Sequence, residues 1–151
     1  QVAAMSPIAL NAASVPQDVK DTETKNAVEK AKQNQIAKAV EAALKKAGIN
    51  PAHVDSEDHI ESNTAKGWIT PEDAAKAREI KATVAQEAEA NLKEQMIQNI
   101  ANGMVAKFYK ESCLLEQAYI DDNKISVAQY LQNIDKELTV TDFKRFTLRA
   151  E

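Results

Sequence analysis

A narrow stripe of small and aliphatic side chains constrains the fold of this chain more than any other feature. Its members recur mostly at steps of three and four residues, a spacing that places side chains on one face of a helix. The stripe consists of Val28, Ala31, Ile36, Val40, Ala43 and Ala47. A face this narrow suits a single partner helix, and its small members allow a close approach. The sequence therefore predicts a long helix that pairs with another helix.

Local signals bracket this first helix at both ends. Pro16 marks the start, with Ser14 predicted as the N-cap and Gln17 as its capping-box partner. Gly48 stands where helices commonly end in the left-handed conformation, and Pro51 follows it. The bracketed stretch of about 30 residues would form a rod of roughly 45 Å.

A second long helix is predicted to begin at Thr70, which caps it, with Pro71 at the first helical position. Its apolar face starts with alanine and ends with large residues. The face runs through Ala77, Ile80, Val84, Ala88, Leu92, Met96, Ile100 and Met104 and continues into Phe108 and Leu115. We therefore expect one end of this helix to pair narrowly and the other end to enter a wider core, in which Phe108 and Leu115 are buried.

These elements predict a long antiparallel helical hairpin standing on a small base. Residues 1–15 are interpreted as a lead-in segment that belongs to the base. Residues 16–106 form the hairpin, with a connector near 48–70 that could hold a short helical turn. Residues 107–151 complete the base. The predicted fold class is α+β, predominantly α.

The end of the chain alternates like a strand. After a short helix capped by Ser126, residues 138–149 place Leu138, Val140, Phe146 and Leu148 on one face. A lone strand leaves backbone donors and acceptors unpaired. We therefore expect its partner strands to come from upstream sequence or from another chain, and we interpret the chain as the C-terminal part of a longer protein.

Composition excludes several classes of function. A net charge of −4 and a pI of about 5.3 argue against nucleic-acid binding, which needs a concentrated positive surface. No apolar run is long enough to cross a membrane, and no signal peptide is recognisable. The single cysteine excludes an intrachain disulfide. A protein of the cytoplasm is expected.

Few residues suggest chemistry, and each has a simpler interpretation. His53 and His59 flank acidic residues, but their spacing matches no metal-ligand motif, so a solvated acidic connector is favoured. Cys113 has no histidine near it in sequence, which favours a structural cysteine over a nucleophile. Trp68 marks the expected reversal of the hairpin; it either contacts a partner or, as we favour, covers the helix ends. Three isolated glycines build no phosphate-binding loop. No catalytic, cofactor-binding or metal-binding residue is predicted.

Two segments carry a resemblance to a known family. GMVAKFYKESCLLEQAYIDDNKISVAQYL, residues 103–131, resembles the C-terminal core of bacterial and organellar elongation factor Ts. FKRFTL, residues 143–148, resembles the closing strand of that core, and QVAAMSPIAL with the Val15-Pro16 pair resembles the segment that leads into its helical hairpin.

The resemblance implies a nucleotide-exchange factor, not a chemical catalyst. The family releases GDP from elongation factor Tu by distorting the magnesium and phosphate contacts of that GTPase. The resemblance also implies a homodimer, since this core contains a dimerisation subdomain. The exchange motif of the family, a TDFVA-like sequence, is absent. Thr141-Asp142-Phe143 spells its first three letters, but Lys144 follows and the segment lies in the predicted closing strand. We assign no exchange role to it.

The alternative is a stand-alone helical scaffold whose hairpin binds an unrelated helix. The strand after residue 138 is expected to discriminate between the two interpretations, because a scaffold has no use for it.

Overall fold

The computed structural model describes residues 1–148, and over this range the chain is predominantly helical. The predicted fold class is confirmed. The α-helices are α1 (Val2–Met5), α2 (Gln17–Lys46), α3 (Glu57–Ala65), α4 (Pro71–Ala90), α5 (Glu94–Ser112) and α6 (Val127–Ile134), with 3-10 turns at Ala12–Ser14 and Pro51–His53. Strands β1 (Ala118–Tyr119) and β2 (Asp122–Ser126) form an antiparallel pair.

The end of α2 is where the sequence predicts it, and its start differs in detail. Gly48 adopts φ +79°, and the Ile49 N–H donates to the Leu44 carbonyl at 3.0 Å, which closes the helix. At the start, Ser14 does not act as the predicted cap. It ends a 3-10 turn, and its hydroxyl donates to Asn11 Oδ1 at 2.9 Å. The asparagine side chain competes successfully for that hydroxyl.

The chain divides into two compact units. The first consists of Gln1–Ala27 together with the chain from Ile100 onward, and the second of Val28–Asn99. Helices α2 and α5 each contribute residues to both units.

In the second unit, α4 runs antiparallel to the later part of α2. Leu44 shares a buried cluster with Ala77, whereas Val28, near the beginning of this stretch of α2, lines a groove with Glu89 at the end of α4. The cluster consists of Leu44, Ile49, Val54, Ile60, Ile69, Ala74 and Ala77. Ala77 is fully buried, as expected for a small residue that lets two helices approach closely.

The connector contains more structure than the short turn that we expected. Helix α3 has nine residues, and the Ser56 hydroxyl caps it by accepting from the His59 N–H at 3.2 Å. Ile60 is fully buried in the cluster of the second unit. Asn63 is also buried and donates from its side chain to the His53 carbonyl at 2.9 Å. The connector therefore supplies part of the core of this unit.

The prediction of one continuous helix after Thr70 is wrong, because the helix breaks between α4 and α5. The Asn91 side chain donates to the Glu87 carbonyl at 2.8 Å, so it competes with the backbone for the last acceptors of α4. The break also changes which face is buried. Met96, predicted to be on the apolar face, is 46% exposed, whereas Ile97 is only 2% exposed.

In the first unit, the residues before α2 pair with the residues after α5. The Leu114 N–H donates to the Ala9 carbonyl at 2.9 Å, and the Leu115 N–H donates to the Leu10 carbonyl at 3.0 Å. A small core forms around this contact. It consists of Ala9, Val15 and Cys113, with Val19, Phe108 and Tyr109 packed against it.

The aromatic residues near the end of α5 do mark a core, but the predicted depths need correction. Phe108 and Leu115 are only half-buried, whereas Leu114 and Cys113 are buried. Cys113 and Leu114 come directly after the end of α5, and both side chains are buried there.

The predicted strand at residues 138–149 is wrong over the described residues. Residues 138–148 form no strand, and Phe146 and Leu148 are fully or almost fully exposed; residue 149 lies outside the described range. An alternating pattern forms a strand only where another strand pairs with it. The sheet over residues 1–148 has the order β1-β2 and offers this segment no pairing.

Candidate interaction surfaces

The histidines of the connector are each engaged separately. The His59 ring bonds to the carboxylate of Asp55, one turn earlier, and this bond lowers the pKa of Asp55. The His53 ring instead lies 5.8 Å from the Trp68 ring. Among residues 1–148, no group of three or more histidine, cysteine or acidic side chains is placed to hold a metal ion.

Trp68 occupies the turn between α3 and α4. Gly67 adopts φ +73° there, and the Trp68 N–H donates to the Asn63 carbonyl at 2.9 Å, which ends α3. The indole is 62% exposed, and the Lys66 ammonium lies 5.1 Å from its centroid. Ile69, at 8% exposure, is the residue of this turn that enters the core. A partner contact for Trp68 stays a prediction.

Two long cationic side chains of α4 bond to α3 and to the residues just before it. The Arg78 guanidinium pairs with Glu57, and this hydrogen bond lowers the pKa of the Glu57 carboxyl. The Lys81 ammonium donates to the Val54 carbonyl at 2.7 Å and to the Asp55 carbonyl at 3.1 Å. The Lys81 ammonium is therefore hydrogen-bonded to backbone carbonyls just before α3.

An apolar groove of about 550 Å³ lies in the second unit between α2 and α4. We call it the hairpin groove and define it by six of its lining residues. These are Ile36, Val40, Leu44, Val54, Lys81 and Ala85. The sequence does not reveal this groove, because it depends on which residues of α2 and α4 face each other. The carboxylate-bearing residues Glu41 and Asp55 also contribute to its wall.

Gln117 connects three parts of the first unit and is fully buried. Its Nε2 donates to the Glu111 carbonyl at 2.8 Å and to the Met5 carbonyl at 3.2 Å, while its Oε1 accepts from the Gln1 side chain at 3.2 Å. The Gln117 backbone carbonyl accepts from the Val127 N–H at 2.9 Å. Gln117 lies within residues 103–131, which carry the family resemblance, but the sequence predicts no role for it. The available signal was weak: an uncharged polar residue that follows Glu116 within the mostly apolar run LLEQAYI.

Cys113 is structural in its surroundings. It is fully buried, and burial raises the pKa of its thiol to about 11. A thiol with so high a pKa is a poor nucleophile at neutral pH.

The surface of the first unit carries several exposed large apolar side chains. Ile8 is 58% exposed, Ile120 is 51% exposed and Ile134 is 63% exposed. Phe146 and Leu148, in the same unit, are more exposed still. Single exposed apolar residues are normal on a surface, and it is the number of large ones on this unit that makes it a candidate for contacts with further protein.

No helix within residues 1–148 combines the length and the apolar character needed to cross a membrane.

A family model and several curated proteins that match this chain all carry the same name. The family model described as "Elongation factor TS" matches residues 26–150. Two curated proteins named "Elongation factor Ts" are similar to this chain over 151 residues. The one from Bacteroides fragilis is 65% identical to the chain, and the one from Phocaeicola vulgatus is 61% identical. Each alignment covers 100% of this chain and 46% of the relative, so the chain spans about half the length of these proteins. No solved structure matches the chain significantly.

An accidental resemblance would not produce this identity over the whole chain, so the scaffold alternative has no support. The chain belongs to the elongation factor Ts family.

Proposed function

We propose that this chain is the C-terminal core portion of an elongation factor Ts, a protein that promotes GDP release from elongation factor Tu. The observation that carries the proposal is the 65% identity over the entire chain to a protein named "Elongation factor Ts". The location we propose is the cytoplasm, where translation takes place.

The portion contributes surfaces and not chemistry. Its buried thiol and its separately engaged histidines supply no reactive pair. We assign residues 1–15 and 107–151 to a base and residues 16–106 to a helical hairpin. Both would act by offering contact area to elongation factor Tu or to a second copy. The exposed apolar side chains of the first unit support a contact there.

The sequence contains no TDFVA-like exchange motif, since Lys144 and Arg145 follow the one Thr-Asp-Phe. The 151-residue chain alone is therefore expected to be a poor exchange factor. The full-length protein is expected to be a good one.

The test measures the release of a fluorescent GDP analogue from elongation factor Tu after mixing with excess GDP. Full-length protein should accelerate release by orders of magnitude, and this chain by less than about tenfold. No acceleration by the full-length protein would overturn the assignment of function. Full acceleration by the chain alone would overturn its role as a portion that lacks the exchange element.

Homodimer formation is the second part of the proposal, and sedimentation velocity tests it. A dimer of the full-length protein that loses its stability when Ile134 is changed to Lys would support a dimer contact on the first unit. Ile134 is 63% exposed, so the substitution should leave the fold intact. A monomer at all concentrations would refute dimer formation.

A further inference from the structure

We draw no further inference here: the strongest candidate, the groove of the first unit that is lined by the end of α5 and by strand β2, mixes lysines with glutamates along its wall, and the N–H groups of Lys124 and Ser126 on β2 are already bonded to side chains, so nothing in the structure shows what covers it.

Discussion

Replacing Gln117 with leucine should destabilise the first unit more than replacing an exposed glutamine with leucine. Gln117→Leu keeps the approximate volume and removes the donor that serves two backbone carbonyls, those of Glu111 and Met5. A buried acceptor that loses its donor costs about 1–3 kcal/mol. Both residues are exposed as a whole, so we use the lower end of that range for each carbonyl. The expected loss is about 2–3 kcal/mol of unfolding free energy for the two carbonyls together.

The assay is urea denaturation followed by two optical probes. Tyr109, Tyr119 and Tyr130 all belong to the first unit, and Trp68, the single tryptophan, belongs to the second. Near-ultraviolet circular dichroism of the tyrosines should therefore report the loss directly. Tryptophan fluorescence shows whether the second unit follows.

The matched control is Gln132→Leu, at an exposed position on α6, which should change the free energy by less than about 0.5 kcal/mol. A Gln117→Leu effect as small as that of the control would refute the reasoning that this side chain joins three segments.

Three further predictions follow from burial and charge. Leu114→Ala should cost about 2–5 kcal/mol in a chemical melt, and Leu115→Ala clearly less, because Leu114 is 4% exposed and Leu115 is half-buried; a reversed order would contradict the packing. The Cys113 thiol has a pKa of about 11 when folded, above its unfolded value near 8.5, so the folded state retains the proton and stability should fall as pH rises from about 9 to 11. Cys113→Ala should remove that part of the pH dependence, and an unchanged slope would count against it. Deleting the chain from Leu138 onward should cost the isolated chain less than about 1 kcal/mol, since residues 138–148 form no strand and the hydrogen bond from Arg145 to Ser6 joins exposed side chains; a loss of several kcal/mol would contradict this.

Features set by neighbouring residues could be predicted from the sequence. The Thr70 hydroxyl accepts from the Asp73 N–H at 3.0 Å, and Ser126 and Gln129 form the full capping box, both as their spacing indicates. Gly48 ends α2 because a residue without Cβ adopts positive φ at no steric cost. In each case the interacting groups lie within a few residues of each other.

Features set by distant residues could not be predicted. The residues after Leu138 do alternate between apolar and polar, but a strand forms only where another strand pairs with it. Residues 138–148 form no strand, so this segment does not discriminate between the family interpretation and the scaffold interpretation. The family assignment instead rests on the identity along the chain. Gln117 and Met5 lie 112 residues apart, so the local sequence around either residue does not predict the hydrogen bond between them.

The helix break at Asn91 is an intermediate case. Asparagine is a recognisable competitor for backbone acceptors, but the apolar periodicity on both sides concealed the break. Likewise, the hairpin groove depends on the register of α2 against α4, which periodicity alone does not determine.

The central claim is that this chain carries contact surface for elongation factor Tu without the exchange element. Isothermal titration of the isolated chain into elongation factor Tu bound to GDP tests it most directly. The account predicts saturable binding with a dissociation constant in the micromolar range, about −8 kcal/mol. Absence of binding at concentrations up to about 1 mM, where the binding free energy would be no better than about −4 kcal/mol, would contradict it.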